Sequence, residues 1–114
     1  MGHPVVHYEV RAKDPDAARA FYGELFGWTF ADAAEPGYTY VEVGDGATIP
    51  GGIGKSDAGG LVTFFVGVED VDAALETAQQ LGGTVVRPAT SVPGVTFGLF
   101  ADAEGNVVGV ASTS

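Results

Sequence analysis

The sequence predicts an α+β fold of two tandem βαβββ modules related by a pseudo-two-fold axis, their strands forming a curved mixed sheet cup with the helices outside. Three observations predict it. A strand-like run followed by a capped amphipathic helix occurs twice, and the capping aspartates, Asp14 and Asp70, stand 56 positions apart, nearly half of the 114 residues. From each cap to the glycine that ends the helix the distances agree, at 13 and 12 residues. After each helix come three short β-rich segments divided by turn residues, and such self-similarity marks an internal repeat.

Module one spans residues 4–54. From Val5 to Arg11, Val6, Tyr8 and Val10 alternate with Val5, His7, Glu9 and Arg11, the period of a half-buried strand. Asp14-Pro15-Asp16 then supplies a capping carboxylate, a proline at the first helical position and an acid in the first turn. Ala18, Phe21, Tyr22, Leu25 and Phe26 fall at helical spacing along one face, and Gly27 ends a helix predicted over 15–26. Strands are predicted at 28–33, 38–43 and 47–54, divided by Glu35-Pro36-Gly37 and Gly44-Asp45-Gly46. Residues 55–60 form a polar joint that permits exchange of modules between chains.

Module two spans residues 61–112 and opens in the same way. Residues 61–68 are β-branched and aromatic, Glu69-Asp70-Val71-Asp72 starts a helix predicted over 70–81, and Gly82-Gly83 ends it. Val71, Leu75, Ala78 and Leu81 share its apolar face. Strands are predicted at 84–88, 95–101 and 107–112, divided by Val92-Pro93-Gly94 and by residues 102–106. A lone module would leave one sheet face bare, and pairing two modules covers it.

Composition narrows the function. With 46% hydrophobic residues the chain folds as a globular domain, and the absence of cysteine removes thiolate metal sites and cysteine nucleophiles. Five Lys/Arg against fifteen Asp/Glu give a net charge of −10, and the five cations form no run. A polyanion needs a basic patch, so no nucleic acid and no membrane is expected as a partner. The short apolar runs and the N-terminus without a signal pattern predict a soluble, cytoplasmic protein.

Pro4-Val5-Val6-His7-Tyr8-Glu9-Val10, the helix end Phe21-Tyr22-Gly23-Glu24-Leu25-Phe26-Gly27-Trp28, residues 68–75 (V-E-D-V-D-A-A-L) and Asp102-Ala103-Glu104-Gly105-Asn106 carry a resemblance that covers nearly the whole chain. It resembles the vicinal oxygen chelate superfamily, which includes glyoxalases, bleomycin resistance proteins and extradiol dioxygenases. The resemblance implies the cup-shaped fold. In catalytic members it implies a divalent metal, held by His and Glu, that polarises adjacent substrate oxygens. Position by position, His7 matches the ligand of the opening strand, while Thr63 stands at the equivalent place in module two. Gly109 stands where the family carries Glu, and residues 50–53 offer no donor. A two-His-one-carboxylate centre would have to recruit His3 and an unexpected carboxylate. No metal and no cofactor is therefore expected.

What remains is an acid–base and aromatic inventory. His7 and Glu9, two apart on one strand face, are the candidate catalytic pair, able to share a proton or orient a ligand. Trp28, Tyr40, Phe65 and Phe97 are expected to wall the cup, with Thr63 and Gly109 completing the ligand site and Gly51-Gly52 and Gly109 leaving room for something bulky. No serine-triad spacing and no dinucleotide or phosphate loop is present. The function expected is metal-independent binding of an aromatic or polycyclic small molecule, of sequestration or resistance type, by a homodimer. The alternative is a glyoxalase-like lyase, isomerase or dioxygenase using His7 as base or within a divergent metal site.

Overall fold

In the computed structural model the element order is β1 (Val5–Ala12), α1 (Pro15–Phe26), β2 (Thr29–Asp32), β3 (Thr39–Glu42), β4 (Gly51–Lys55), β5 (Leu61–Gly67), α2 (Val71–Gln80), β6 (Thr84–Val92), β7 (Val95–Ala101) and β8 (Val107–Thr113). The structure describes residues 2–33, 36–44, 46 and 49–113. Glu35, Asp45, Ala47 and Thr48, which belong to predicted turns and a predicted strand, lie outside them. Contacts divide the chain into two compact units, His7–Val62, and Thr63–Ser114 with Met1–Val6.

In the first unit the strands run in the order β2-β3-β4-β1, with β1 parallel to β4 and the other neighbours antiparallel. The register sets Tyr8 opposite Gly51 and Glu9 opposite Gly52. Asp14 caps α1 through its carboxylate, which accepts from the Ala17 amide at 3.1 Å, and Gly27 closes the helix at φ 75°. Positive φ favours glycine, which explains that stop. α1 packs on β4, where Ile53 is fully buried. The expected apolar face is only partly covered: Tyr22 and Phe26 meet Trp28, while Phe21, Leu25 and Phe26 stay 62%, 59% and 57% exposed.

The second unit repeats the topology in the order β5-β8-β7-β6, with β5 parallel to β8 and the rest antiparallel. Asp70 caps α2 as Asp14 caps α1, accepting from the Ala73 amide at 3.0 Å. Val71, Leu75 and Val110 form the core beneath that helix, with Phe100 and Val85 packed on it. A Cβ at Gly98 would stand 2.7 Å from a Leu75 methyl, so glycine lets the helix sit close. The Asp102 carboxylate ties the final turn, accepting from the amides of Glu104 and Asn106, both at 2.9 Å.

Strand β6 departs from expectation, running through Pro88 to Val92 instead of ending at the proline. It is the edge strand, and its register slips between Val85 and Arg87 and again between Arg87 and Thr90. A proline has no amide hydrogen to give a ladder, and an edge with bulges does not ask for one.

Candidate functional site

Strand alternation puts His7, Glu9 and Arg11 on the face of β1 opposite Tyr8. Tyr8 packs against Trp28 under α1, with ring centroids 6.1 Å apart. On the other face the ring of Tyr38, the residue before β3, lies beside His7. The His7 Nε2 and Tyr38 Oη atoms are hydrogen bonded at 2.8 Å. Tyr38 reaches there because β4 is glycine where it passes. A Cβ at Gly52 would overlap the Tyr38 hydroxyl, and one at Gly54 would lie 2.7 Å from its ring. Gly51, pointing the other way, leaves the same kind of room for Tyr8. The glycine segment expected to leave a pocket is thus filled on both faces by the chain's own tyrosines.

Glu9 is buried, and Arg11 holds it bidentately: Nε–H donates to Oε2 at 2.8 Å and Nη2–H to Oε1 at 3.2 Å. The guanidinium also lies 5.3 Å over the Tyr38 ring. His7 and Glu9, expected as a pair, each have a further partner on this face, Tyr38 and Arg11. Burial lowers the His7 pKa below the ordinary 6.5, outweighing the opposite pull of Glu9, so the imidazole is neutral at pH 7. Burial first, then the charge and hydrogen bonding of Glu9, raise the Tyr38 hydroxyl far above its usual range and keep it protonated. Tyr40 meets Tyr38 edge-on at 5.7 Å and is 48% exposed, the open aromatic of this face.

The predicted residues fall into separate groups. His7, Glu9 and Tyr40 share one face of the first unit. Trp28, expected to wall the cup, instead packs with Tyr8, Tyr22 and Phe26 on the helix side, because its position just after α1 turns it back under that helix. Thr63, Phe65, Phe97 and Gly109 gather in the second unit. Phe65 and Phe97 meet edge-on at 6.2 Å in a buried cluster with Ala111, and the Phe65 ring covers Gly109, where a Cβ would overlap it. The space expected over Gly109 is filled. The Thr63 hydroxyl donates to the Val107 carbonyl at 2.7 Å. The second unit also bears a groove of about 780 Å³ beside α2, lined by Val66, Ala74, Thr77, Phe100 and others, with His3 at its edge. None of the predicted site residues lines it.

Tyr38 and Arg11 are the residues that sequence reasoning missed as site members. Arg11 was legible as an opposite charge two residues from Glu9 on one strand face. Tyr38 lies 31 positions from His7 and depends on the register of β3 on β4, which no local pattern reports.

The donors at the implied metal positions do not fit a divalent ion. Nε2 of His7 is bonded to a tyrosine hydroxyl, the hydrogen of Thr63 goes to a backbone oxygen, and Gly109 has no side chain. Among the described residues no group of three or more His, Cys, Asp or Glu could hold a metal. Nor is any helix among them long and apolar enough to cross a membrane.

A model of the glyoxalase/bleomycin resistance protein/dioxygenase superfamily matches residues 5–110. A comparison with curated proteins gives no match. Among solved structures, a hypothetical protein from Bacillus halodurans is similar at 10% identity and TM-score 0.68, covering 100% of this chain and 96% of that one. A Streptomyces coelicolor methylmalonyl-CoA epimerase variant in complex with 2-nitronate-propionyl-CoA is similar at 16% identity and TM-score 0.63, with the same coverage. An Mn(II)-bound glyoxalase from Novosphingobium aromaticivorans is similar at 19% identity and TM-score 0.64, over 95% of this chain and 38% of that one. At these identities the likeness is one of fold.

Proposed function

The chain belongs to the glyoxalase/bleomycin resistance protein/dioxygenase superfamily, and on that premise we propose that it binds a small aromatic or polycyclic molecule without a metal, as a sequestering or resistance protein does. The observation that carries this reading is the engagement of the donor positions by the chain itself, above all His7 by Tyr38. The face is also nearly neutral in charge. His7 is neutral, Glu9 and Arg11 cancel, and Tyr40 offers an open ring. A flat, uncharged ring system is the ligand that such a surface favours. The chain acts as a homodimer on this reading, supported by the apolar Phe21 and Leu25 that α1 leaves exposed.

The test is ligand-observed NMR of chelator-treated protein against a library of aromatic metabolites and antibiotics. The expected result is an aromatic ligand whose affinity is the same with EDTA or with added Mn²⁺. Tyr40→Ala should weaken it roughly threefold to tenfold, the worth of one aromatic contact. Binding that appears only with added metal would overturn the proposal. The His7–Tyr38 hydrogen bond also favours a second reading, an isomerase or lyase in which the neutral His7 is the base. Turnover by metal-free protein that His7→Ala abolishes would decide for it.

A further inference from the structure

We infer that the groove beside α2 is a binding site for a small organic cation, an apolar body carrying an amine, with the ammonium at the Asp102 end. The groove encloses about 780 Å³, room for a drug-sized molecule. Its floor is apolar: Val66, Ala74 and Phe100 line it half-buried, and Val110 is buried. Leu81, also in the lining, is 81% exposed, and an apolar ligand would take it out of water. The charge bordering this floor has one sign. Glu69, Asp70 and Asp102 line the groove and are exposed. Among the described residues no Lys or Arg lines it, and its one base is His3. An apolar floor edged by carboxylates complements an apolar body with a positive head.

The two ends of α2 are not equivalent for a cation. At its start the aligned amides favour an anion, and the Asp70 cap already supplies one. At its other end the peptide carbonyls favour a cation, and the last turn has no basic residue. Asp102 belongs to this second end. A Cβ at Gly83, just past the helix, would lie 2.7 Å from the carbonyl oxygen of Ala101, the residue before it. The Asp102 carboxylate is held in place by the amides of Glu104 and Asn106, and its oxygens keep further lone pairs. Helix end and fixed carboxylate thus mark one place for positive charge. A second copy of the chain is a poor occupant, since it brings a net charge of −10 to an acidic groove. The groove shares no residue with the face of His7 and Tyr40, so the inference stands apart from the aromatic ligand proposed there.

Three probes with one body and different heads test it: phenylbutylamine, phenylbutanol and phenylbutyrate, each titrated into the nitrogen-15-labelled full chain by NMR. The amine should shift the amides of Ala74, Thr77 and Ala103 and bind roughly fivefold more tightly than the alcohol, the scale of an exposed ion pair. Phenylbutyrate should bind more weakly than the alcohol. Asp102→Asn keeps an oxygen for the Glu104 and Asn106 amides and should abolish the amine's advantage, whereas Glu69→Gln should keep most of it. Thr77→Phe, on the exposed surface of α2, fills the groove and should weaken amine and alcohol alike, which decides the matter if Asp102→Asn does not fold. No saturable binding of the amine, shifts confined to other residues, or an advantage that survives Asp102→Asn would overturn the inference. So would a fall in mass by light scattering on adding the amine, which would put a second copy of the chain in the groove.

Discussion

Gly52 faces Glu9 across β4 and β1, and Gly109 faces Phe65 across β8 and β5, so the two modules carry the same parallel pair with a glycine at the same place. In both an aromatic ring covers that glycine and an arginine guanidinium lies over an aromatic ring of the group, but the rings' other partners differ. Over Gly52 the ring is Tyr38, tied to His7, with Glu9 and Arg11 in the same group. Over Gly109 it is Phe65, packed on Phe97 and Ala111, with the Arg87 guanidinium 5.1 Å over the Phe97 ring. A buried carboxylate and a half-buried imidazole add little to folding once desolvation is counted, whereas a buried phenylalanine adds a great deal. Module two's face thus carries the larger apolar burial, and module one's the buried carboxylate and the imidazole.

The sharpest way to break this contrast is to remove one ring function from each module. Phe65→Ala should cost about 4 kcal/mol in urea unfolding, the range for a buried phenylalanine. Tyr38→Phe, which loses only the hydroxyl and its hydrogen bonds, should cost about 1 kcal/mol. Equal costs would mean that both faces are structural.

Acidity separates the modules next. Burial lowers the His7 pKa from 6.5, so just below that pH the unfolded chain binds more protons than the folded one, and stability falls as the pH drops through this window. Burial and Glu9 raise the Tyr38 pKa from 10.0, so above that pH the unfolded chain loses its proton first and stability falls as the pH rises. His7→Ala should flatten the acid limb near pH 6.5 and Tyr38→Phe the alkaline one, in unfolding midpoints taken across the pH range. Phe65→Ala should lower the whole curve and leave both limbs. An acid limb in this window that survives His7→Ala would remove His7 from the account.

The smallest effect concerns two buried threonines, one in each unit. Thr63 donates to the Val107 carbonyl, and Thr63→Val should cost about 1 kcal/mol. The Thr39 hydroxyl is buried without a partner among the described residues, so Thr39→Val should be neutral or stabilising by up to about 1 kcal/mol. Thermal midpoints of the two variants should move in opposite directions or differ clearly.

Local chemistry made much of this legible. Asp14 and Gly27 bracket α1 at the expected 15–26, and α2 lies within the expected 70–81, because caps and stops are written in single residues. Alternation along β1 put His7 and Glu9 on one face correctly. It failed where long-range contacts decide. Pro88 reads as a strand end until β6 is known to be a bulged edge. Gly52 reads as open space until β3 brings Tyr38 across it. Trp28 reads as a cup wall until α1 is seen to fold over it. Each of these failures is a question of which distant ring fills a glycine gap or covers a strand, and periodicity carries no information on that.

The placement of Trp28 decides what its light reports. It is the only tryptophan of the chain, half-buried in ring contact with Tyr8, Tyr22 and Phe26 on the helix side of β1. Its emission is therefore a gauge of whether α1 is docked, and a ligand on the opposite face, beside His7 and Tyr40, can bind without changing its colour.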